Sequence, residues 1–217
     1  MTEYIGLGLG FIYIAVVIVI AIFMSKLPHE MGRTFAHIMV SNWWIIAALT
    51  MKSYWIVMAA PIFFIIFNTL NLIFNWIPSL NSQTRSNSLG TVYYAASVAL
   101  LVHLYFFIPS IQVAGGLGIL IMGYGDGLAA VIGQFFGKHK FTIFKGHKTI
   151  EGSLTMWLVS TIVVAGYLYF TTPAVSWLMV LVIPILATLI EAISPYGLDN
   201  LFVPLITALI YFVYIFK

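Results

Sequence analysis

Long apolar runs, broken only by short polar stretches, constrain this chain more than any motif does. A helix needs about 20 predominantly apolar residues to cross about 30 Å of hydrocarbon. Runs of that order lie near residues 4–24, 35–51, 55–76, 89–108, 111–136, 153–170, 174–193 and 200–216, the second and the last being short. The pattern predicts an all-α fold, a polytopic membrane helical bundle of about eight transmembrane helices, with roughly seven to nine as the range. Only 7% of the 217 residues are charged and 62% are hydrophobic, against roughly a quarter charged in an average soluble domain. So few charges cannot cover a soluble surface, and residues 1–217 read as a single integral membrane domain without a separate soluble one. The first run follows Glu3 rather than a basic segment and lacks a small-x-small cleavage pattern, so it reads as a retained helix and not as a signal peptide.

Several chemistries drop out at once. The chain has no cysteine, which removes disulfides, thiolate catalysis and cysteine-bound metal. The histidines lack the i, i+4 pairing of a zinc helix, so a hard, oxygen-liganded metal fits the composition better. The net charge of +3 is small and local, and no aromatic-basic interleaving accompanies it, which argues against nucleic acid as a partner.

With about eight crossings, Lys26, Arg33, Arg85, Lys138, Lys140, Lys145 and Lys148 fall on one side and only Lys52 and Lys217 on the other. The positive-inside tendency makes the basic side cytoplasmic and places both termini outside. The same alternation brings the span ends carrying Asp126, Glu191 and Asp199 to the cytoplasmic side, although acidic residues took no part in the count. A compact chain of this kind suits a prokaryotic cell (inner) membrane. Trp43, Trp44, Trp55, Trp76 and Tyr214 lie near proposed span ends and read as interface anchors. Pro61, Pro184 and Pro204 lie inside apolar runs and should bend their helices.

Against this background stands one polar island. It runs through Gly123-Tyr-Gly-Asp-Gly-Leu-Ala-Ala-Val-Ile-Gly133, then Gly137-Lys-His-Lys-Phe141, then Lys145-Gly-His-Lys-Thr-Ile-Glu-Gly-Ser153. Ionisable residues retained within membrane segments point to function. Gly125 and Gly127 flank Asp126, so backbone could approach a ligand closely while the carboxylate holds a cation. Glycine packing accounts for Gly115, Gly116 and Gly118 but not for Asp126. A nucleoside triphosphate is dense negative charge, managed by a divalent cation, lysines and backbone N–H groups. On that reading Asp126 and Glu151 are magnesium ligands, Lys148 clamps a phosphate, and Lys138 and Lys140 are outer phosphate contacts. Arg85, in the polar stretch 77–88, is a further headgroup or phosphate candidate. Neither a P-loop nor a soluble-kinase signature is present.

The same residues resemble a known family: the membrane CTP-dependent lipid-alcohol kinases, which include dolichol kinase, phytol kinase and a yeast-type diacylglycerol kinase and sit within the phosphatidate cytidylyltransferase superfamily. The resemblance is carried by Gly125-Asp126-Gly127 through Gly133 with Gly137 to Lys140, and by Lys148-Thr149-Ile150-Glu151-Gly152-Ser153. Downstream, Glu191, Gly197-Leu198-Asp199-Asn200 and Val203-Pro204-Leu205 are similar to the kinase branch. The histidine-glycine and Asp-Arg-x-Asp element of the cytidylyltransferase branch is missing. Arg33-Thr34-Phe35-Ala36-His37 is similar to the family's Arg-Lys-x-x-His with threonine in place of lysine, and Gly90-Thr91-Val92-Tyr93-Tyr94 is similar to its Gly-Thr-x-Tyr-Tyr.

The resemblance implies transfer of the terminal phosphoryl group of CTP, or another NTP, to a membrane-resident alcohol, an isoprenoid such as phytol or a polyprenol being favoured. It implies Mg²⁺ at Asp126 with Asp199 or Glu151, and charge stabilisation by Lys148 and Arg33. Thr149 and Asn200 join the nucleotide contacts, and Asp199, then His37, are the residues to orient or deprotonate the hydroxyl. Bends at Pro184 and Pro204 would mark a lipid entrance beside Glu191. The rivals are a cytidylyltransferase acting on phosphatidate, and a transporter or noncatalytic membrane protein, for which polar groups clustered at one boundary are the wrong pattern.

Overall fold

The computed structural model describes residues 2–27, 31–81, 89–144 and 146–216. Arg85, Lys145 and Lys217, which entered the charge count, lie outside them. The described helices are α1 (Thr2–Met24), α2 (Met31–Val40), α3 (Trp43–Thr50), α4 (Tyr54–Phe74), α5 (Gly90–Phe107), α6 (Ile111–Leu120), α7 (Gly127–Phe136), α8 (Ile150–Thr171), α9 (Trp177–Ile193) and α10 (Asp199–Ile215). A π-helical segment, Ile121–Asp126, joins α6 to α7 without a break. Thr2–Met24, Tyr54–Phe74, Gly90–Phe107, Ile111–Phe136 and Ile150–Thr171 are long and apolar enough to cross a membrane, and α9 and α10 are shorter apolar helices. The protein is an all-α polytopic membrane bundle.

The continuous segment from α6 to α7 is the central one. Its apolar window is 67% buried, against 22% for α1 and α8, because it is rich in glycine and can be approached from all sides. The backbone of Gly118 lies directly against the carbonyl of Pro204 on α10, and Gly116 lies against Trp44 and the Tyr167 hydroxyl. Such small-residue contacts are how membrane helices come close when lipid offers no hydrophobic drive. Leu117, Ile119, Ile121 and Met122 fill the core around them. The outer faces carry exposed Leu9, Val16, Leu158, Ile162, Leu181 and Leu189, an apolar belt that suits lipid rather than water.

The run at 35–51 departs from a single span. It forms two helices, α2 and α3, parted at Ser41 and Asn42. Both pack back along α1, with Gly32 against Ala21 and Thr50 against Gly6, so the pair runs the length of α1 in two pieces. Broken backbone at membrane depth must find polar partners. Here the Ser41 hydroxyl donates to the Ile38 carbonyl (2.6 Å) and the Tyr13 hydroxyl to the Met39 carbonyl (2.8 Å). The Tyr124 hydroxyl donates to Asn42 Oδ1 (3.0 Å), while Asn42 Nδ2 donates to Tyr13 (3.3 Å). The indoles at the break are not interface anchors: Trp43 and Trp44 are 4% and 3% exposed, inside the core, whereas Trp55 and Trp76 do face outward.

The polar stretch after α7 contains an antiparallel hairpin, β1 (Lys140–Ile143) and β2 (Gly146–Thr149), with Phe141 opposite Lys148 and Lys140 opposite Thr149. It is the one sheet among the described residues, and it delivers Lys148 to the end of the bundle where α2 and α10 begin and α9 ends.

Candidate functional site

Four elements set the site. The π-helical segment ends at Asp126, a wide turn of the type that recurs at functional positions. β2 runs straight into α8, and Thr149 caps that helix, its hydroxyl accepting the Gly152 N–H at 3.1 Å. Lys148 is therefore fixed by the strand before it and the cap after it. Glu191 sits in the last turn of α9. The connection to α10 then turns through Tyr196 and Gly197, both with positive φ (61° and 79°). Glycine tolerates that backbone readily and tyrosine does not, and the turn places Asp199 and Asn200 at the start of α10.

These residues meet. Lys148 Nζ donates to Glu191 Oε1 and, at 3.1 Å, to Asp199 Oδ2. Asp199 Oδ1 accepts from the backbone N–H and the side-chain Nδ2 of Asn200, both at 3.0 Å. Carboxylate oxygens of Asp126, Glu191 and Asp199 lie within 4.8 Å of one another. Burial alone would depress Lys148, but the carboxylates of Asp199, Glu191 and Asp126 outweigh it and hold the ammonium well above the ordinary lysine value. Glu191 Oε2 is buried without a hydrogen-bond partner. Three hard oxygen donors converging around an orphaned carboxylate oxygen fit a divalent cation such as Mg²⁺.

On α2, one turn after Arg33, His37 places Nε2 3.7 Å from Asp126 Oδ2 and 3.3 Å from the Met122 carbonyl. With Nε2–H donating to Met122, Nδ1 is left as an acceptor.

Two cavities open on this arrangement. A polar cleft of about 1330 Å³ is lined by Asp126, Lys148, Thr149, Ser153, Glu191 and Asp199, among others. An apolar cavity of about 950 Å³ lies among α1, α2, α3, α4, α5 and α6 and includes His37 in its wall. Both volumes include the open mouths. Arg33 and Asn200 line both cavities, so the two adjoin at those side chains.

Several expected site residues lie elsewhere. Glu151 is turned away from the acidic cluster: its carboxylate accepts from the His139 backbone N–H (3.3 Å) and pairs with His139 Nδ1 (2.7 Å). Gly125 packs on Met156 and Ser160, and Gly127 on Ile38, so neither lines the cleft. Lys138 and Lys140 are exposed and also outside its lining. The glycines in its wall are Gly133, Gly146, Gly152 and Gly197. Gly90 and Thr91 line the apolar cavity, Gly90 against Asn200 Nδ2. Pro61 lines that cavity, and Pro184 and Pro204 do not. Glu191 enters as a third acidic donor, and its signal in the sequence was a lone carboxylate in an apolar run.

The chain is similar to curated proteins of one activity class. A phytol kinase of Synechocystis sp. is 36% identical over 189 residues, covering 86% of this chain and 80% of the relative. The dolichol kinase of Schizosaccharomyces pombe is 32% identical over 99 residues, 44% of this chain and 18% of that longer protein. A probable chloroplastic phytol kinase of Glycine max is 31% identical over 138 residues, covering 57% and 43%. No family model matches the chain, and no solved structure does. With a relative matched over most of both lengths, in a bundle whose polar site adjoins an apolar cavity, the chain belongs to the lipid-alcohol kinase family that includes phytol kinase.

Proposed function

We propose that the protein transfers the terminal phosphoryl group of CTP to the hydroxyl of an isoprenoid alcohol, with Mg²⁺ held by Asp126, Glu191 and Asp199. The observation that carries this reading is the meeting of two unlike cavities at Arg33 and Asn200. The charged one suits a nucleotide and the apolar one a hydrocarbon tail. A divalent cation held there would supply charge neutralisation for the donor phosphates.

Lys148 and Arg33 stabilise charge on the transferring group. Lys148 is suited to this because Glu191 and Asp199 fix its position before any substrate binds, so little reorganisation is left for the reaction. The first turn of α8, with Thr149 and Ser153 facing the cleft, offers a helix N-terminus to the remaining phosphates. His37 faces the apolar cavity and Asp199 does not, so His37 Nδ1 is the better placed of the two expected acceptors of the hydroxyl proton. The alcohol oxygen bonds to the γ-phosphorus, the bond from that phosphorus to the β–γ bridging oxygen breaks, CDP leaves, and the proton passes to His37.

The orientation follows from the charges. Lys26, Arg33, Lys138, Lys140 and Lys148 share the end that carries the site. Lys52 lies at the opposite end, where Glu3 accepts the Ser53 N–H. We place the site at the cytoplasmic face of a cell (inner) membrane, with both termini outside.

The test is purified protein in lipid with Mg²⁺, an isoprenoid alcohol or phosphatidate, and CTP labelled at the α or the γ phosphate, with ATP, GTP and UTP as rival donors. γ-Label on the alcohol, with CTP the best donor, is the expected result. α-Label on phosphatidate would replace the proposal with a cytidylyltransferase.

A further inference from the structure

The apolar cavity has a floor of two indoles, and one of them separates it from a second pocket. Its lining on α4 runs from Asn68 to Ala60 and on α5 from Gly90 to Val98. Either stretch is about 12 Å long at ~1.5 Å per helical residue. The polar end is closed by Asn68 Nδ2 donating to the Thr91 carbonyl at 3.1 Å, near Arg33, His37 and Asn200. The deep end is closed by Trp43 and Trp44. Behind Trp44 lies a second apolar pocket of about 230 Å³, lined by Ala47, Met51, Val57 and Val102, and Trp44 belongs to the walls of both. The indole is therefore a partition. It is clamped from α6, where Gly115 packs tightly on its ring and Gly116 leaves no room for a side chain beside it.

We propose that the tail of the isoprenoid alcohol lies in this cavity with its hydroxyl at Arg33 and His37, and that Trp44 sets the longest tail the cavity encloses. The proposal rests on the function proposed above and adds the substrate's size class. A depth of about 12 Å is less than half of the roughly 30 Å hydrocarbon layer. A short isoprenoid alcohol can be taken up in it, whereas a long polyprenol must leave most of its tail outside. The occupant is a lipid tail because the cavity wall is hydrocarbon apart from the end that adjoins the charged cleft.

The experiment compares kcat/KM for geraniol, farnesol, geranylgeraniol, phytol and undecaprenol, with CTP and Mg²⁺, in wild type, Trp44→Ala and Ala95→Phe. Wild type is expected to favour the intermediate chains. Trp44→Ala joins the two pockets and should raise the ratio of geranylgeraniol to farnesol by about 10-fold or more, the scale on which apolar pockets discriminate added methylenes, with undecaprenol little changed because its tail still lies mostly outside. Ala95→Phe fills the middle of the cavity and should move the optimum toward geraniol by a similar factor. Ala95→Phe tests the placement of the tail, and Trp44→Leu, a milder truncation, tests the partition if Trp44→Ala does not accumulate. An active wild type whose length profile is unchanged in the folded variants overturns the role of Trp44 and leaves the kinase reading intact. A wild type that phosphorylates none of these alcohols overturns both.

Discussion

At the residue scale the site is an exchange of charge among buried groups, and its variants should separate by position. Removing Lys148 leaves Glu191 and Asp199 buried and unpaired, which costs about 3–5 kcal/mol in comparable buried pairs. Lys148→Ala should therefore unfold at lower temperature in detergent as well as lose activity. Because the folded ammonium is held above the free-lysine value, the stability it supplies is complete at neutral pH. That stability fades only as the pH climbs past the free value toward the raised one. Glu191→Gln and Glu151→Gln form the sharper pair. The first removes a donor from the acidic cluster and should raise the Mg²⁺ concentration for half-maximal rate by about 10-fold or more, the scale of altering a metal's ligand environment. The second disturbs a contact with His139 and should leave that concentration unchanged. A Mg²⁺ titration of initial rate in both variants distinguishes them, and equal shifts would return Glu151 to the metal. His37→Gln should lower kcat by about 10²–10⁴ if it takes the hydroxyl proton, with KM for CTP little changed.

At the scale of elements, close backbone approach holds the site's helices in place. Gly118 has the Pro204 carbonyl where a Cβ would stand, and Gly8 has nothing near it. Gly118→Ala should therefore destabilise the protein by about 1–3 kcal/mol, the usual range for overpacking. Gly8→Ala should be neutral or mildly stabilising because alanine is the better helix former. Thermal unfolding of both in the same detergent checks the contrast. The element scale also shows what could be read beforehand. Span positions follow from apolar length, which is a one-dimensional property, and they agree with the helices except at 35–51. The break there depends on Tyr13 and Tyr124 reaching Asn42 from two other helices, which no local pattern encodes. The hairpin was hidden because only eight residues form it, too few for periodicity to register. Asp126, Lys148 and Asp199 were legible as charges amid apolar sequence. Their grouping with Glu191 rather than Glu151 was not, since a helix N-terminus that faces the cleft turns alternate residues away from it.

At the scale of the whole molecule, two solvents meet in one protein. In the proposed reaction a nucleotide arrives from water and an alcohol from lipid, and the fold offers a charged cleft and an apolar cavity adjoining at Arg33 and Asn200. The charge distribution supports the proposed orientation of the bundle, and the absence of cysteine makes that orientation testable by single introduced thiols. Lys140→Cys should react with an impermeant maleimide only when the cytoplasmic face is open, and Lys52→Cys from the outside in intact cells. Labelling of both from one face would refute the proposed topology. The apolar cavity was beyond sequence reading because its wall is made of apolar side chains from six helices. The most direct measurement of the central claim is the rate of γ-phosphoryl transfer from CTP to geranylgeraniol by wild type and by folded Lys148→Met, in vesicles with saturating Mg²⁺. The account predicts a labelled prenyl monophosphate in wild type and a loss of about 10³-fold in the variant, the scale of removing one preorganised transition-state contact. A variant that transfers at the wild-type rate would contradict it.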